Sequence, residues 1–339
     1  MNVCSPAQGY GGAPRQAEVY VYGSAARGGV PPPAKVQPKS PKRGNPTAQS
    51  PQRSIKPFKP SGQNLEEEAI QKIKDFHTRY PYAEDIHETH KLKEASQKLV
   101  DFMSAQPEIT PQMRSILVDW LGEVSEEYDL APDTLFLAVN YIDRFLSACV
   151  VQRCQLQLVG ITCMLIACKY EEIQAPFVED FVHITDCTYT REEILKTELY
   201  ILNKLNFSLT VCTIRNFLPR FMCLAELDQD RTATFLSQYL SELSLSIHSI
   251  NQSYPPSLIA SAVVFITRGV LRSSDQWPLV MRYYTGYSAV DLKACVMEIC
   301  AAHGVANSNG KNPSSKDKYT SQKYESVSLI NISVADFQF

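Results

Sequence analysis

Apolar residues recur every three to four positions along almost the whole chain from Leu65 onward, and this spacing predicts helices rather than strands. "LEEEAIQKIKDFHTRY" reads as an amphipathic helix with acids in its first turn, where the helix dipole favours them. "PYAEDI" is expected to break it, and "HETHKLKEASQKLVDFMSA" to form the next helix, ending before Pro107. Thr110 then offers an N-cap and Pro111 an N1 residue for a helix through "MRSILVDWLGEV". "DLAPDTLFLAVNYIDRFLSA" is expected to start at an Asp133 or Thr134 cap. "LQLVGITCMLIACKY" is apolar on every face, which predicts a central, fully buried helix. "APFVEDFVHI" reads as a short helix, and "TREEILKTELYILNKLNF" opens on a capping box of Thr190 and Glu193.

Beyond residue 210 the same order of segments returns. "VCTIRNFLPRFM" and "RTATFLSQYLSELSL" are helical, and "SLIASAVVFITRGVL" is a second helix without a polar face. "QWPLVMRYYTGYSAVDLKACVMEI" parallels "APFVEDFVHITDCTYTREEILKTELYI". The fold class is therefore all-α: two tandem five-helix repeats, preceded by an N-terminal helix and a disordered tail. The expected boundaries are a tail over 1–62, an N-terminal helical segment over 63–110, repeats over 111–208 and 209–305, and an extension over 306–339.

One helix carries more apolar surface than a repeat needs. At 100° per residue, Met113, Ile116, Leu117, Val118, Trp120, Leu121 and Val124 fan over roughly 200°, where an ordinary surface helix buries little more than ~100°. Arg114 points into the middle of that arc. Facing a core, it needs a carboxylate partner, because an unpaired buried charge is very costly.

The repeats also differ at their ends. The first central helix closes on Lys169-Tyr170-Glu171-Glu172, the second on Arg268-Gly269-Val270-Leu271. The last helix of the first repeat carries Glu198 where the second has Val296. Lys169 and Glu198 are thus not required to build the unit, which makes them candidates for function.

Charge separates the tail from the rest. Residues 1–62 hold nine Lys/Arg against one acid, Glu18, while the remainder holds 24 Lys/Arg against 35 Asp/Glu. The tail also holds 11 of the 21 prolines and 8 of the 14 glycines, too little apolar material to offset its ordering entropy. Its charges are dispersed and its aromatics few, so no nucleic-acid partner is expected. "KSPKR" and "QSPQR" place Ser40 and Ser50 before a proline with a basic residue following, the pattern of a proline-directed kinase site, and "PKSPKR" is a weak nuclear-import signal. No run of about 18 apolar residues is present and no secretion signal opens the chain, so neither a membrane span nor disulfides are expected. The ten cysteines form no CxxC pair, and no metal site is expected.

"MRSILVDWL", "LAVNYIDRFLS", "LQLVG", "CKYEEI" and "ITDCTYT", in this order, resemble the cyclin box, and the chain is similar to A-type cyclins over roughly residues 65–335. "SEEYDLAPDTLFLAVNYIDRFLS" and "FVEDFVHITDCTYT" carry the A-type preference, with "YAEDIHE" and "KYESVSLI" outside the box. The resemblance implies a cell-cycle regulatory subunit of a cyclin-dependent kinase, not an enzyme. ATP and magnesium then belong to the partner kinase, and the chain itself holds no cofactor and no catalytic residue. It implies kinase contacts at Lys169, Tyr170, Glu172, Glu198, Leu202 and Leu209. It also implies a docking patch for Arg-x-Leu substrates and inhibitors at Met113, Ile116, Leu117, Trp120, Leu156 and Gln157, with Glu123 at its edge. The arginine that matches Arg114 pairs in that family with the Asp of "YIDRF", here Asp143. The expected location is the nucleus, with the cytoplasm as a second one.

Two departures stand out. Gly122 occupies a position where a larger apolar residue is usual, at a cost of about 1 kcal/mol in helix propensity. Residues 1–80 contain no Arg-x-x-Leu or Lys-Glu-Asn degradation motif. Two other classes are weighed against the resemblance. A cyclin-fold transcription or scaffold factor needs a zinc ribbon and a strongly basic second repeat, and the sequence has neither. A cysteine hydrolase needs a histidine pattern beside its cysteine, and none accompanies Cys149.

Overall fold

The computed structural model describes residues 63–97, 101–271, 275–308 and 313–339. The predicted tail, with Ser40 and Ser50, lies outside them. Every regular element among the described residues is helical. Two N-terminal helices, α1 (Gln63–Arg79) and α2 (Ala83–Ser96), come first. The first repeat is α3 (Pro111–Glu127), α4 (Pro132–Ala148), α5 (Leu156–Glu171), α6 (Val178–Ile184) and α7 (Arg191–Lys204). The second is α8 (Ile214–Leu224), α9 (Arg231–Leu245), α10 (His248–Ser253), α11 (Pro256–Val270), α12 (Leu279–Thr285) and α13 (Ala289–Ser308), and α14 (Ser314–Thr320) follows.

The two helices without a polar face are the centres of their repeats. Every residue of α5 from Val159 to Cys168 and of α11 from Ile259 to Thr267 is buried. In the first repeat α5 is ringed by α3, α4, α6 and α7; in the second α11 packs on α8, α9 and α13. Such burial is worth roughly 1.5–3 kcal/mol for each large apolar side chain. Gly160 lets α3 approach α5 closely, since a Cβ there would fall 2.6 Å from Leu117 Cδ1.

Four expectations are corrected. The break after α1 spans only Tyr80–Tyr82: Pro81 ends the first ladder, and Ala83 already begins α2, with Glu84 and Asp85 in its first turn. α4 is not capped by Asp133 or Thr134. Pro132 takes N1, Ala131 precedes it, and a side chain from α5's end supplies the acceptor, as described below. The second repeat has a sixth helix, α10, inserted before α11. α13 continues to Ser308, past the boundary expected at 305.

The N-terminal helices, adjacent in sequence to the first repeat, pack on the second. Phe76 of α1 and His87 of α2 meet Tyr284 of α12, with ring centroids 5.8 and 4.7 Å apart, and His87 also meets Phe217 and Phe221 of α8. The C-terminal segment returns to both repeats. The Ser314 amide and hydroxyl bond Asp119 of α3, and Lys318 and Tyr319 bond Glu242 of α9.

Candidate functional site

Arg114 is fully buried on α3 and Asp143 nearly so on α4. The guanidinium grips the carboxylate through two parallel bonds, Nε to Oδ1 and Nη2 to Oδ2, both 2.6 Å. Its remaining arm reaches the Leu245 carbonyl at 2.8 Å. Leu245 ends α9, so this ion pair fastens the second repeat to the first as well as α3 to α4. Bidentate geometry is the arrangement in which a desolvated pair is tolerated.

At the other end of the first repeat, Lys169 Nζ lies 2.6 Å from Glu198 Oε1, linking the last turn of α5 to α7. The lysine side chain is 46% exposed and the glutamate 13%. The lysine end is half open to solvent, so the pair is screened from that side and contributes on the order of 1 kcal/mol to folding. Beside it the Tyr170 hydroxyl, half-exposed, meets Thr210 Oγ1 at 2.8 Å. The chain after α7 is drawn back here by Tyr141 and Arg144, which donate to the Leu209 and Ser208 carbonyls. Gln97, just past α2, donates to the Thr210 carbonyl. Lys169, Tyr170, Glu198 and the half-buried Leu202 and Leu209 therefore share one surface.

Glu172, at the end of the same helix as Lys169, has a structural role of its own. Its Oε1 accepts from the Ala131 amide at 2.8 Å and from the Thr134 hydroxyl, so its carboxylate caps α4. An acid at a helix N-terminus satisfies orphan amides and the dipole together. The expected kinase contact at Glu172 therefore falls on a side chain whose Oε1 already caps α4.

Periodicity could not point to the apolar residues that border this surface. Ile173 is fully exposed, Phe177 is 77% exposed and Phe207 60% exposed, and all lie in the segments that follow or connect helices. Phe207 also sits in the left-handed region, with φ of 53°, which is costly for a bulky side chain. The one available signal was large apolar residues placed where a solvated loop would normally carry polar ones.

The corresponding end of the second repeat is closed. Arg268 donates to the Ala225 and Asp275 carbonyls, and Val296 is buried. Gly269, at the place of Tyr170, lies under the Phe337 ring, which a Cβ there would meet at 2.5 Å. Among the described residues only the first repeat presents this surface open.

The nominated docking patch divides in two. Ile116 is 57% exposed, Met113, Trp120 and Gln157 are partly so, and Glu123 is open. Leu117 and Leu156 are buried, and Leu117 packs onto Gly160. They are corrected from lining to floor: the close approach of α3 to α5 consumes them.

Cys149 is half-buried with its thiol 3.8 Å from the Tyr200 hydroxyl. Burial raises the Cys168 thiol to about 12 and the Cys212 thiol to about 11, so neither is a nucleophile at neutral pH. Among the described residues no group of three or more His, Cys, Asp or Glu side chains could hold a metal, and no helix is long and apolar enough to cross a membrane.

Two family models match the chain: "Cyclin, N-terminal domain" over residues 85–210 and "Cyclin, C-terminal domain" over 212–333. The chain is 44% identical over 250 residues to a G2/mitotic-specific cyclin-A of Hydra viridissima, covering 74% of this chain and 59% of that protein. It is 45% identical over 233 residues to Cyclin-A1-1 of Oryza sativa subsp. japonica, covering 67% of this chain and 45% of that one. The chain thus spans about half the length of these relatives. A solved viral cyclin from herpesvirus saimiri shares the fold at a TM-score of 0.59 and 19% identity, over 64% of this chain and 96% of that one.

Proposed function

The chain belongs to the cyclin family, and from that premise we propose that it is the regulatory subunit of a cyclin-dependent Ser/Thr protein kinase, acting in the cell cycle and in the nucleus. The observation that carries this reading is the open end of the first repeat. There an ion pair with a half-exposed lysine, Lys169–Glu198, lies in a region that carries the exposed apolar residues Ile173, Phe177 and Phe207. Stable regulatory complexes bury upwards of ~2,000 Å², mostly apolar, with polar groups fixing register. Lys169 offers donors and Glu198 acceptors to backbone groups at the ends of a partner helix, while Tyr170, Leu202 and Leu209 add area. Activation is then a population shift: the subunit binds the active arrangement of the kinase better than the inactive one. ATP, magnesium and the phosphoryl transfer belong to the kinase.

The finer part of the proposal is that Met113, Ile116, Trp120 and Gln157, above the floor of Leu117 and Leu156, dock Arg-x-Leu motifs of substrates and inhibitors. Glu123 pairs with the motif arginine. Partly exposed aromatic and apolar side chains in one stripe are typical anchors.

The deciding experiment is affinity purification of the full chain from dividing cells of its source, with identification of the bound kinase and assay of its activity. Recovery of a cyclin-dependent kinase with activity above that of the free kinase is expected. Recovery of the chain without any kinase rejects the reading.

A further inference from the structure

The end of the second repeat that matches the open surface of the first is filled by the chain itself, through two rings. Phe337 is buried with its edge over Gly269, and Phe339 stacks on Phe265 of α11, centroids 5.3 Å apart and planes 25° apart. Lys293 of α13 lies over the Phe339 ring, with Nζ 5.2 Å from its centroid. Phe265 also meets Phe337 and Trp277, at 5.8 and 6.1 Å, and so forms the floor of both ring positions. The absence of a Cβ on Gly269 makes the room for Phe337.

Gln276 holds the backbone on both sides of Phe337. Its Nε2 donates to the Asp336 carbonyl at 2.6 Å, and its Oε1 accepts from the Gln338 amide at 2.9 Å. Such a clamp reads no side chain, while the pockets beside it read alternate ones, which is how grooves recognise an extended peptide. Ordinary core is covered on all sides, and this segment is not: Val334, Ala335, Asp336 and Gln338 are exposed. The next buried side chain back along the chain is Ile332. Two rings and two hydrogen bonds thus stand against the ordering of residues 334–339, the balance of a segment that opens locally while the rest stays folded.

We propose that this groove is a docking site for an extended segment of a partner protein with two phenylalanines one residue apart, and that residues 334–339 occupy it in cis until such a segment displaces them. The occupant's chemistry is that of the segment already seated. Two aromatic anchors fill the ring positions, and the residue between them is free except that it must carry an amide proton for Gln276, which excludes proline. The tether holds the cis segment at a high effective concentration, so a partner binds against competition.

The probe is a fluorescently labelled peptide, SVADFQF, identical to residues 333–339. One control peptide carries Phe337→Ala with Phe339→Ala, and the other Gln338→Pro. Each is titrated against the full chain and followed by fluorescence anisotropy. Expected is saturable binding of the probe to the unaltered chain, tighter by about tenfold or more in a Phe337→Ala, Phe339→Ala chain, whose own segment no longer competes. The Gln338→Pro peptide is expected to bind about tenfold more weakly, the weight of one hydrogen bond, and the alanine peptide not at all. Adding Gly269→Ala to the altered chain is expected to abolish binding, because its Cβ fills the pocket. No saturable binding to the unaltered chain at the solubility limit makes the segment permanent core and overturns the proposal without reliance on any variant. So does equal affinity for the three peptides, or binding that survives Gly269→Ala. A dimer of the unaltered chain that Phe337→Ala with Phe339→Ala dissociates assigns the groove to a second copy and overturns the partner reading.

Discussion

Ser314 occupies the space that a side chain on Gly122 would need: a Cβ at Gly122 would stand 2.6 Å from Ser314 Oγ. That hydroxyl is not free to move aside, because it donates to the Asp119 carbonyl at 2.9 Å, one turn back on α3. A glycine that weakens α3 by about 1 kcal/mol is explained by the helix α14 that it admits. Gly122→Ala is expected to be neutral or destabilising in the intact chain, since the gain in helix propensity is offset by the displaced Ser314. In a Ser314→Ala background the same substitution is expected to stabilise by about 1 kcal/mol. A double-mutant cycle in urea reads the difference, and additive effects reject the steric account.

The Arg114–Asp143 pair makes the second prediction. Asp143→Asn leaves a fully buried guanidinium with neutral acceptors only, so the folded state is expected to lose about 3 kcal/mol. Replacing both residues together, as Arg114→Met with Asp143→Leu, is expected to cost less than Asp143→Asn alone, because no charge is stranded. Denaturant midpoints at unchanged m-value measure both. A midpoint for Asp143→Asn equal to that of the unaltered chain would show that the pair is not energetically coupled to folding.

How far this was legible in the sequence differs by element. The two buried centres could be read from composition alone, because only a helix surrounded on all sides tolerates "ITCMLIAC" or "ASAVVFI". The Thr190–Glu193 capping box could be read because its chemistry is local, and it is present as such. Glu172 could not: its cap spans from the end of α5 to the start of α4, and no local pattern encodes a partner 41 residues away. Gly122 failed for the same reason, its neighbour lying 192 residues further on. Arg114 lay between these cases. Its position in an apolar arc demanded a carboxylate, but the Leu245 carbonyl beyond it belongs to the other repeat. Ile173, Phe177 and Phe207 were missed because they lie outside the periodic segments.

Acid is expected to loosen the contact between α2 and the second repeat. His87 packs against Tyr284, Phe217 and Phe221, and burial, helped by Arg220, lowers its pKa to about 4. The unfolded chain, near 6.5, then binds more protons than the folded one, so stability present above pH 6.5 is lost as pH falls toward 4. From pH 6.5 to pH 5 the loss is about 2 kcal/mol at full strength and about 1 kcal/mol after solvent screening. His90, His248 and His303 are lowered as well, chiefly by burial, and add in the same direction. Replacing His87 with Phe keeps the ring packing and removes the proton. The melting temperature of His87→Phe is expected to fall less between pH 7.5 and pH 5 than that of the unaltered chain; parallel falls exclude His87 as a contributor.

Lys169→Ala with Glu198→Ala tests the open end of the first repeat. Because the lysine end of that pair is half-exposed and both charges are removed together, the melting temperature is expected to change little, by about 1 kcal/mol in stability. Co-purified kinase activity is expected to vanish. If a folded double variant retains full activity, the ion pair is not part of the interface, and Ile173→Asp with Phe177→Asp then tests whether the exposed apolar residues beside it are. Those side chains are exposed, so their loss affects only a surface that binds something.

The docking patch is separable from the kinase surface by the same reasoning. Met113→Ala with Trp120→Ala removes partly exposed apolar area from α3 and leaves the buried floor of Leu117 and Leu156 in place. Kinase binding and activity on a short peptide without a docking motif are expected to persist, while turnover of an Arg-x-Leu substrate falls by about tenfold or more through KM. Glu123→Ala is expected to give a smaller, salt-sensitive loss on the same substrate, as a rim charge does. Equal damage to both substrates would mean that Met113 and Trp120 act as core. The excess apolar arc of α3 would then be covered by the fold itself rather than by a partner.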